Sequence, residues 1–488
     1  MSRYEKILVG IISALSVAGV ISVFDKALLA ALVFAVFLWS ATILFFLKRA
    51  MLSRALFLLF TIVFVSNIAM VAGMHYTHFQ PFANGAGDFV EYHANGLEMY
   101  HRLQGGNFNV TGLDRASHYY PVLLGYFYII LVPSMLVGQL FNAWLIALIV
   151  LLAYFLALKI GASKKGALLV AIMVSGYPSL LFFGGLLLKD AIICFLSLLG
   201  LLLAIKLVER FTYSLFLIFY IALGLLLHFR FYIAFALMFT FILYWFLYVK
   251  KPLKQRIISG LCIIVLLGFL PQLFVVDDTG YWGIKLFKQY VNQKTITYYR
   301  EEAYAPQAKY VVMPELANDG DLSPDSVVSV DSTALIIDTG EDTAGSTFMV
   351  KTEFGSIGKF IKNYTLSFVY TILGPFFWQV KYTRQWLSFI EVIPWYIALF
   401  FIIRGVAVNF KSYYLKSHRL FFPLVLFSLI VFASIALFMN NFGIIARIRI
   451  PAVICLLCFL PLALKEGNII YTSMEKCYAY ITKKWTIK

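Results

Sequence analysis

Residues 85–107 read GAGDFVEYHANGLEMYHRLQGGN, a polar segment between the long apolar runs of the chain. Polar residues recur here at intervals of three, four and seven, which places them on one face of a helix. They are Asp88, Glu91, Tyr92, Asn95 and Glu98. Nearer the opposite side lie Phe89, His93, Leu97 and Tyr100. The pattern predicts a short helix that lies on a membrane surface with an acidic, solvated face.

The rest of the chain is far more apolar than this segment. Of its 488 residues, 62% are hydrophobic and only 13% are charged, and the mean hydropathy is +0.86. A soluble protein of this length could not bury so much apolar surface. The apolar runs approach the roughly 20 residues that cross a bilayer as a helix, and the alternating pattern of barrel strands is missing. The composition therefore predicts an all-α polytopic membrane protein.

The net charge of +16 by itself would suit a nucleic-acid-binding protein. In a chain this apolar, Lys and Arg are more often topology signals, so we do not expect nucleic acid as a partner. The five cysteines lie in apolar runs or in the C-terminal tail, where disulfides are not expected. The N-terminal run lacks a small-residue cleavage pattern and is interpreted as the first membrane helix.

Twelve apolar runs are predicted to span the bilayer. They are 7–24, 27–47, 55–76, 141–160, 167–184, 187–206, 214–229, 231–249, 257–275, 387–403, 420–438 and 449–464. Two further segments, 119–138 and 363–380, are broken by Pro133 and Pro375 and are predicted as outer interfacial helices. This assignment makes the short inner loops basic, as the positive-inside rule requires, and leaves all but four of the 24 carboxylates outside or at the outer boundary. Both termini are then cytoplasmic.

The topology divides the chain into four parts. Residues 1–275 form an N-terminal transmembrane module that includes the outer loop 77–118. Residues 276–386 form an extracytoplasmic insert with an interfacial helix, in which a stretch rich in Asp, Ser, Gly and Thr predicts a flexible or weakly β-structured surface. Residues 387–464 form the C-terminal transmembrane helices, and residues 465–488 form a basic cytoplasmic tail.

Asp88 has two interpretations. Gly87, Asp88 and Glu91 form a capping-box pattern, in which the aspartate accepts from free backbone N–H groups at the helix start. A carboxylate at the same position could also act as a base at the membrane surface. The two roles are compatible, and the residues alone leave both open.

Four segments occur in the order seen in bacterial membrane glycosyltransferases of the GT-C fold. They are GDFVEYHANGLEMY, YYPVLLGYFYIILVP, GYPSLLFFGGLLLKDAIICFLSLLGLLLAIK and NNFGIIARIRIPAVICLLCFLPL. The chain most resembles the protein-mannosyltransferase-like and aminoarabinose-transferase-like group. The resemblance covers most of the membrane part but not residues 276–360. It rests on the order of the segments and the placement of the loops.

The resemblance implies an enzyme that takes a sugar from a polyprenyl-phosphate carrier and passes it to a lipid, glycan or protein acceptor on the outer face. It implies Asp88 as the acceptor base and Asp190, in LLLKDAI, as a second acidic residue at the outer end of a later span. The sequence has GDF where the family commonly has an Asp-Glu pair, and its next carboxylate is Glu91. We assign Glu91 and Asp190 as helpers that bind the acceptor or a metal.

A departing sugar phosphate needs positive charge beside it. The topology places four cations at the same outer boundary, which are Lys189, Arg230, Arg447 and Arg449. Arginine suits phosphate because its planar fork donates two parallel hydrogen bonds. Alternatively, Arg447 and Arg449 snorkel at a helix end and Lys189 pairs with a neighbouring carboxylate. Tyr92 and His93 are added as candidate substrate-binding residues.

Histidines are frequent around the outer loop, but their spacing matches no compact zinc-ligand pattern. They are His75, His78, His93, His101 and His118. No cofactor is therefore assigned, and a divalent metal is left open.

The sequence thus predicts an inverting GT-C glycosyltransferase in the cytoplasmic membrane of a bacterium, with membrane lipids, donor and acceptor as partners. One alternative is an O-antigen-like polymerase or ligase of surface polysaccharide, which would act on a pyrophosphate-linked chain. Another is a lipid or glycan transporter, which should carry buried polar residues near the midplane of several spans. The clustering of ionisable residues at one surface favours surface chemistry over translocation.

Overall fold

The computed structural model describes residues 25–49, 53–77, 88–110, 119–274, 279–302, 350, 356–380, 383–409 and 415–464. Within these residues the chain is helical and has no β-strand. The helices are α1 (Lys26–Lys48), α2 (Arg54–Tyr76), α3 (Asp88–Gln104), α4 (Tyr119–Ile130), α5 (Met135–Lys159), α6 (Lys164–Ser175), α7 (Pro178–Gly185), α8 (Asp190–Glu209), α9 (Tyr213–Phe229), α10 (Phe231–Tyr248), α11 (Leu253–Phe274), α12 (Ile284–Tyr290), α13 (Gln293–Thr297), α14 (Ile357–Leu373), α15 (Phe389–Asn409), α16 (Leu415–Phe438), α17 (Phe442–Ile448), α18 (Ile450–Leu457) and α19 (Leu460–Ala463). The predicted span 7–24, most of the predicted insert and the basic tail lie outside the described residues.

Eight helices in the described part of the chain are long and apolar enough to cross a membrane. They are α1, α2, α5, α8, α10, α11, α15 and α16. Two bent pairs, α6 with α7 and α17 with the helices that follow it, raise the number to ten if each pair is one span. The prediction of an all-α polytopic membrane protein is confirmed. The count of twelve is not confirmed, because α9 has only 17 residues and the predicted first span is not described.

Two segments that the sequence predicts as single spans are bent. The predicted span 167–184 is α6 followed by α7, which turn by 51° just before Pro178. The predicted span 449–464 begins earlier, at α17, and bends by 52° at Arg449, just before Pro451. A proline at the start of a helix lacks the N–H group that would continue the preceding helix. Both bends lie at residues that contact the buried ion pair of Arg449 and Glu391.

The two predicted interfacial segments also have different boundaries. The first, 119–138, ends as α4 at Ile130, and its last residues form the first turn of α5. Ser134 begins α5, because its Oγ accepts from a backbone N–H two residues later at 3.3 Å. The second, 363–380, is α14, which starts earlier and ends before Pro375. Both segments remain too short to be counted among the spanning helices.

Helices α5 and α8 form the centre of the bundle. In each, 78% of the most apolar window is buried, against 22% in α1. Small residues allow the close approach of these helices and their neighbours. At Gly138 in α5, an added Cβ would lie 2.3 Å from Leu187 Cδ1 in the turn before α8. The N-terminal turn of α5 therefore packs directly on that turn.

Polar side chains of α5 hold the backbone between α7 and α8, residues 186–189. Asn142, which is fully buried, donates hydrogen bonds to Leu186 O at 3.0 Å and to Leu188 O at 2.8 Å. Gln139, one turn earlier, bonds the last carbonyl of α7 at 3.1 Å. Buried backbone carbonyl groups outside a helix need such partners. In this way α5 fixes the position at which α8 begins.

Helix α8 separates two charged clusters. Its 20 residues span roughly 30 Å, which is close to the thickness of the hydrocarbon core. Its first residue, Asp190, lies among arginine side chains. Its last residue, Glu209, pairs with Lys159 at the end of α5 at 2.5 Å. The two clusters therefore lie at opposite ends of the bundle.

Candidate active site

Four charged side chains from four different elements meet at one end of the bundle. Arg447 contacts two carboxylates: its Nη2 lies 2.8 Å from Asp88 Oδ2, and its Nε lies 3.1 Å from Asp190 Oδ2. Arg230 Nη2 donates to the other oxygen of Asp190 at 3.0 Å. We call these four residues the bridged cluster. Helix α3, the start of α8, the break between α9 and α10, and the last bent pair thus contribute to one site.

The local structure explains how these side chains come together. Asp88 and Asp190 are the first residues of α3 and α8, where free backbone N–H groups favour a negative charge. Arg230 lies in extended backbone between α9 and α10, with φ −157° and ψ 94°. Arg447 lies in the last turn of α17, which begins after Asn441, and the side chain of Asn441 caps this helix. The sequence therefore places each charge at or near a helix end.

The two carboxylates of the bridged cluster differ in their access to solvent. The side chain of Asp190 is 6% exposed, whereas that of Asp88 is 46% exposed. Burial alone would raise the pKa of Asp88, but the guanidinium of Arg447, supported by Arg230 and Lys189, holds the pKa of this carboxyl below its ordinary value. Asp88 is therefore an ionised and accessible carboxylate near neutral pH.

Lys189 adds a third cation beside the bridged cluster. It directly precedes Asp190, and its Nζ lies 5.6 Å from the centre of the Tyr92 ring. Burial, together with the nearby Arg230 charge, lowers the pKa of Lys189 to about 8. With Lys189 protonated, the three cations and two carboxylates carry one surplus positive charge. An anion such as a phosphate would balance this charge.

Helix α3 directs its other candidate residues in different directions. Tyr92 is 4% exposed and packs edge-to-face on Tyr120 of α4, with ring centroids 5.3 Å apart. His93 Nδ1 lies 2.8 Å from the hydroxyl of Tyr128 in α4, and burial lowers the pKa of this histidine. Glu91 is exposed to solvent. Of these three candidates, the structure brings Tyr92 next to the cations.

The buried face of α3 differs from the predicted one. It consists of Phe89, Tyr92, Gly96, Met99 and Leu103. Tyr92, which the spacing predicts on the solvated face, is therefore buried. The reason is the close packing of α4, because a Cβ added to Gly125 of α4 would lie 2.6 Å from Met99 Cγ. This neighbouring helix, which the spacing within α3 does not reveal, decides which face is covered.

Arg449 does not join the bridged cluster. Only 1% of it is exposed, and its Nη2 lies 3.0 Å from Glu391 Oε1 while its Nη1 donates to Gly374 O at 2.8 Å. The topology groups Arg449 with the candidate phosphate-binding cations, but the structure places it apart from them. Glu391 was not singled out by the sequence analysis. Its signal is a lone carboxylate inside an apolar run, a feature that often marks a buried pair in membrane proteins.

The described residues do not offer a ready site for a divalent metal. Among them, no group of three or more His, Cys, Asp or Glu side chains is close enough to hold a metal ion. The carboxylates of Asp88 and Asp190 are already paired with guanidinium groups. Within the described part of the chain there is therefore no ready site for a metal, and no step proposed below passes through one.

Comparison with known proteins points to one family. Residues 120–291 match the family model described as dolichyl-phosphate-mannose-protein mannosyltransferase. The match covers about a third of the chain and includes Lys189, Asp190 and Arg230. No curated protein and no solved structure matches the chain.

The match and the all-helical membrane fold together confirm the resemblance to membrane glycosyltransferases of the GT-C class. More particularly, the matched region is similar to the protein mannosyltransferases that the family model describes. The match excludes Asp88 and Arg447, which lie outside residues 120–291. Their assignment to the site rests on the geometry of the bridged cluster.

Proposed function

We propose that this protein transfers a sugar from a polyprenyl-monophosphate carrier to an acceptor hydroxyl on the outer face of a bacterial cytoplasmic membrane. The observation that carries the proposal is the contact of Arg447 with both Asp88 and Asp190. It brings an accessible carboxylate next to a group of cations suited to a phosphate. The family match supports the donor class, because its description names a dolichyl-phosphate sugar.

In the proposed reaction, the acceptor hydroxyl attacks the anomeric carbon of the sugar. Asp88 accepts the hydroxyl proton as the new C–O bond forms. The bond between the anomeric carbon and the phosphate oxygen breaks, and its electron pair leaves with the polyprenyl phosphate. Arg447, Arg230 and Lys189 stabilise the negative charge of this leaving group. A single displacement of this kind inverts the anomeric configuration. The acceptor class, whether lipid, glycan or protein, stays open.

The position of the bridged cluster along α8 supports this substrate. The hydrocarbon tail of the carrier lies in the bilayer, so its phosphate must lie at the membrane boundary. Asp190 begins a spanning helix and is therefore at such a boundary. The opposite end of α8 lies beside Lys159 and the basic loops, which the positive-inside rule assigns to the cytoplasm. The bridged cluster would then face outward.

Arg447 has a donor group that a phosphate could use. Its Nε and Asp190 Oδ2 form an ion pair at 3.1 Å, but neither buried atom makes a hydrogen bond with the described residues. A phosphate oxygen that aligned with this N–H group would satisfy it. The same phosphate would compete with Asp88 for the guanidinium and release the carboxylate to act as a base.

The test separates proton removal from carrier binding. Asp88→Asn preserves the size of the side chain and its preference for a helix start, but asparagine cannot accept the proton. Membranes from a deletion strain that carries each variant retain the native acceptor. They would receive polyprenyl-monophosphate sugars, with the mannose donor first. We expect transfer by Asp88→Asn to fall by about 10²–10⁴-fold.

Carrier binding is measured separately on the purified protein, with undecaprenyl monophosphate as the probe. Asp88→Asn should bind this probe at least as tightly as the wild type, because it removes the anion that competes for Arg447, whereas Arg447→Met should lose its affinity. The matched control is Glu98→Gln on the same helix. Glu98 is exposed and pairs with Arg102, so its substitution should change neither quantity. Normal sugar transfer by Asp88→Asn would exclude Asp88 as the base.

Two further assays, with pyrophosphate-linked donors and with sealed vesicles, discriminate the alternative functions. Transfer from pyrophosphate-linked chains but not from monophosphate sugars would replace the proposal with a polymerase or ligase. Movement of a lipid-linked glycan across vesicles by the wild type, without sugar transfer, would replace it with a transporter.

A further inference from the structure

A second buried ion pair lies behind the bridged cluster. Arg449 Nη2 is 3.0 Å from Glu391 Oε1, and the two side chains are only 2% and 5% exposed. We call Arg449 and Glu391 the anchor pair. Burial of two charges is costly, and an apolar pair of similar size would often be at least as stable. Stability alone therefore does not explain why this charged pair is buried.

The anchor pair connects four separate parts of the bundle. Glu391, in the first turn of α15, accepts from the Tyr177 hydroxyl at 2.6 Å and from the Ser179 backbone N–H at 2.9 Å, and also from the Ser179 hydroxyl. These two partners lie at the bend between α6 and α7. Arg449 donates to carbonyl groups at the end of α14, including Gly374 O at 2.8 Å. Arg449 itself lies at the bend between α17 and α18.

The position of Arg449 fixes the orientation of its neighbour Arg447. Residues two apart on a helix point in directions that differ by roughly 200°. Arg447 accordingly contacts Asp88 and Asp190, while Arg449 points to Glu391 on the other side. Helix α17 has only 7 residues and ends at the bend. A rotation of this short helix would therefore move both guanidinium groups at once.

We infer that the anchor pair is a positioning device that sets the rotation of α17 and thereby aims Arg447 at the donor phosphate. The inference rests on the proposed function, because it takes phosphate binding as the task of Arg447. Neither Arg449 nor Glu391 touches the substrate in this proposal. Their effect on the reaction passes through the direction of the Arg447 side chain.

The first test variant, Arg449→Lys, removes the planar guanidinium group of Arg449. Arg449→Lys keeps a positive charge that can pair with Glu391, but a single ammonium cannot hold Glu391 and the α14 carbonyl groups in the same planar geometry. A second variant, Glu391→Gln with Arg449→Met, removes both charges together. The glutamine keeps an acceptor for Tyr177, and no uncompensated charge is left buried. Both variants are designed to fold while they loosen α17.

A matched control is another buried arginine, which contacts the end of α16 rather than the bend at Arg449. Arg300 is 2% exposed and donates to Ala436 O at 3.1 Å, to Val350 O at 3.1 Å and to Ser367 Oγ at 2.7 Å. Arg300→Lys removes the same planar fork from the same bundle. We expect it to lower thermal stability without changing the affinity for the carrier.

The readouts are the melting temperature, the dissociation constant for undecaprenyl monophosphate, and the KM values for donor and acceptor. We expect both anchor variants to bind the probe at least about tenfold more weakly, which is the loss of about one charge-assisted hydrogen bond. The donor KM should rise while the acceptor KM stays unchanged. If the anchor pair were merely structural, its variants would lower the melting temperature, as Arg300→Lys should, and would leave the dissociation constant and both KM values unaltered.

Each outcome supports or overturns the inference. Weaker probe binding in both folded anchor variants, but not in Arg300→Lys, supports it. Wild-type affinity in both anchor variants overturns it and leaves the proposed function intact. Failure of the wild-type protein itself to bind the probe overturns the proposed function, and the inference with it.

Discussion

The side chain of Asn142 holds the turn before α8, residues 186–189. The substitution Asn142→Leu tests how much this side chain contributes to stability and to activity. Asn142 is fully buried in α5 and donates to the carbonyl groups of Leu186 and Leu188. Leucine has a similar volume but no donor, so both carbonyl groups lose this partner. The turn carries Lys189 and leads into Asp190. The substitution should therefore affect both stability and the site.

The structure gives the expected magnitude. Asn142→Leu removes three hydrogen bonds: the two that Asn142 donates, at 3.0 and 2.8 Å, and a longer one that it accepts from the Tyr120 hydroxyl at 3.4 Å, which adds little. Side-chain hydrogen bonds inside membrane proteins contribute about 0.6 kcal/mol each on average and about 1.7 kcal/mol at most. The free energy of unfolding of Asn142→Leu should thus fall by about 1–3 kcal/mol. A displacement of Asp190 by about 1 Å would also reduce turnover by about 10²-fold.

Unfolding in mixed detergent–SDS micelles and sugar transfer by membranes measure the two effects. The chain offers a matched control in Asn67, which is also buried in an apolar span. Asn67 donates at 2.7 Å only to Val63 O of its own helix, and its Oδ1 has no hydrogen-bond partner among the described residues. Asn67→Leu should therefore be neutral or slightly stabilising. Equal stability and transfer in Asn142→Leu and Asn67→Leu would refute the proposed role of Asn142.

Three further predictions concern charge and packing. Because the pKa of Lys189 is lowered to about 8, the affinity for the carrier should weaken as the pH rises through this value. Lys189→Arg should abolish this loss of affinity at high pH, and a variant with the same pH profile as the wild type would contradict the role of Lys189. The depressed pKa of Asp88 means that its pair with Arg447 stabilises the fold above the unfolded pKa of about 3.9, and that this stability is lost as the pH falls through the folded pKa. Since Asp88 is half-exposed, Asp88→Asn should cost at most about 1 kcal/mol in the free energy of unfolding near neutral pH, and a larger loss would show a structural role. Gly138→Ala should lower the free energy of unfolding by about 1–3 kcal/mol, because the added Cβ would overlap the Leu187 side chain in the turn before α8. Gly73→Ala, where nothing lies within 4 Å of the added Cβ, should not lower it, and equal unfolding curves for the two variants would contradict this packing.

Much of the fold was predictable from the sequence, because the bilayer imposes one length on every span. The apolar runs locate the membrane helices, and the prolines locate the ends of α4 and α14. The bends at Pro178 and Arg449 were missed, since an average of hydropathy over a run does not register a break in direction. The face of α3 was also misassigned at Tyr92, because its burial depends on α4, a separate segment of the chain.

The candidate site, like the fold, was predictable from the sequence only in part. Topology alone brings Asp88, Asp190 and Arg447 to one membrane boundary, and the structure places their side chains in contact. Topology could not separate Arg447 from Arg449, because both lie at that boundary. Only the rotation of α17 at the bend shows that one faces the bridged cluster and the other faces the bundle.

The unequal exposure of the two carboxylates gives the proposed reaction an order. Arg447 holds Asp190, whose side chain is 6% exposed and also paired with Arg230, and it holds Asp88, whose side chain is 46% exposed. A phosphate that reaches Arg447 replaces one anionic partner with another, so the charge of the guanidinium stays balanced. The partner that can leave at low cost is Asp88, because water can solvate the released carboxylate, whereas Asp190 would leave a buried charge without compensation. Donor binding would therefore free the base before the acceptor hydroxyl needs it, and a donor-first order of substrate binding is the kinetic consequence.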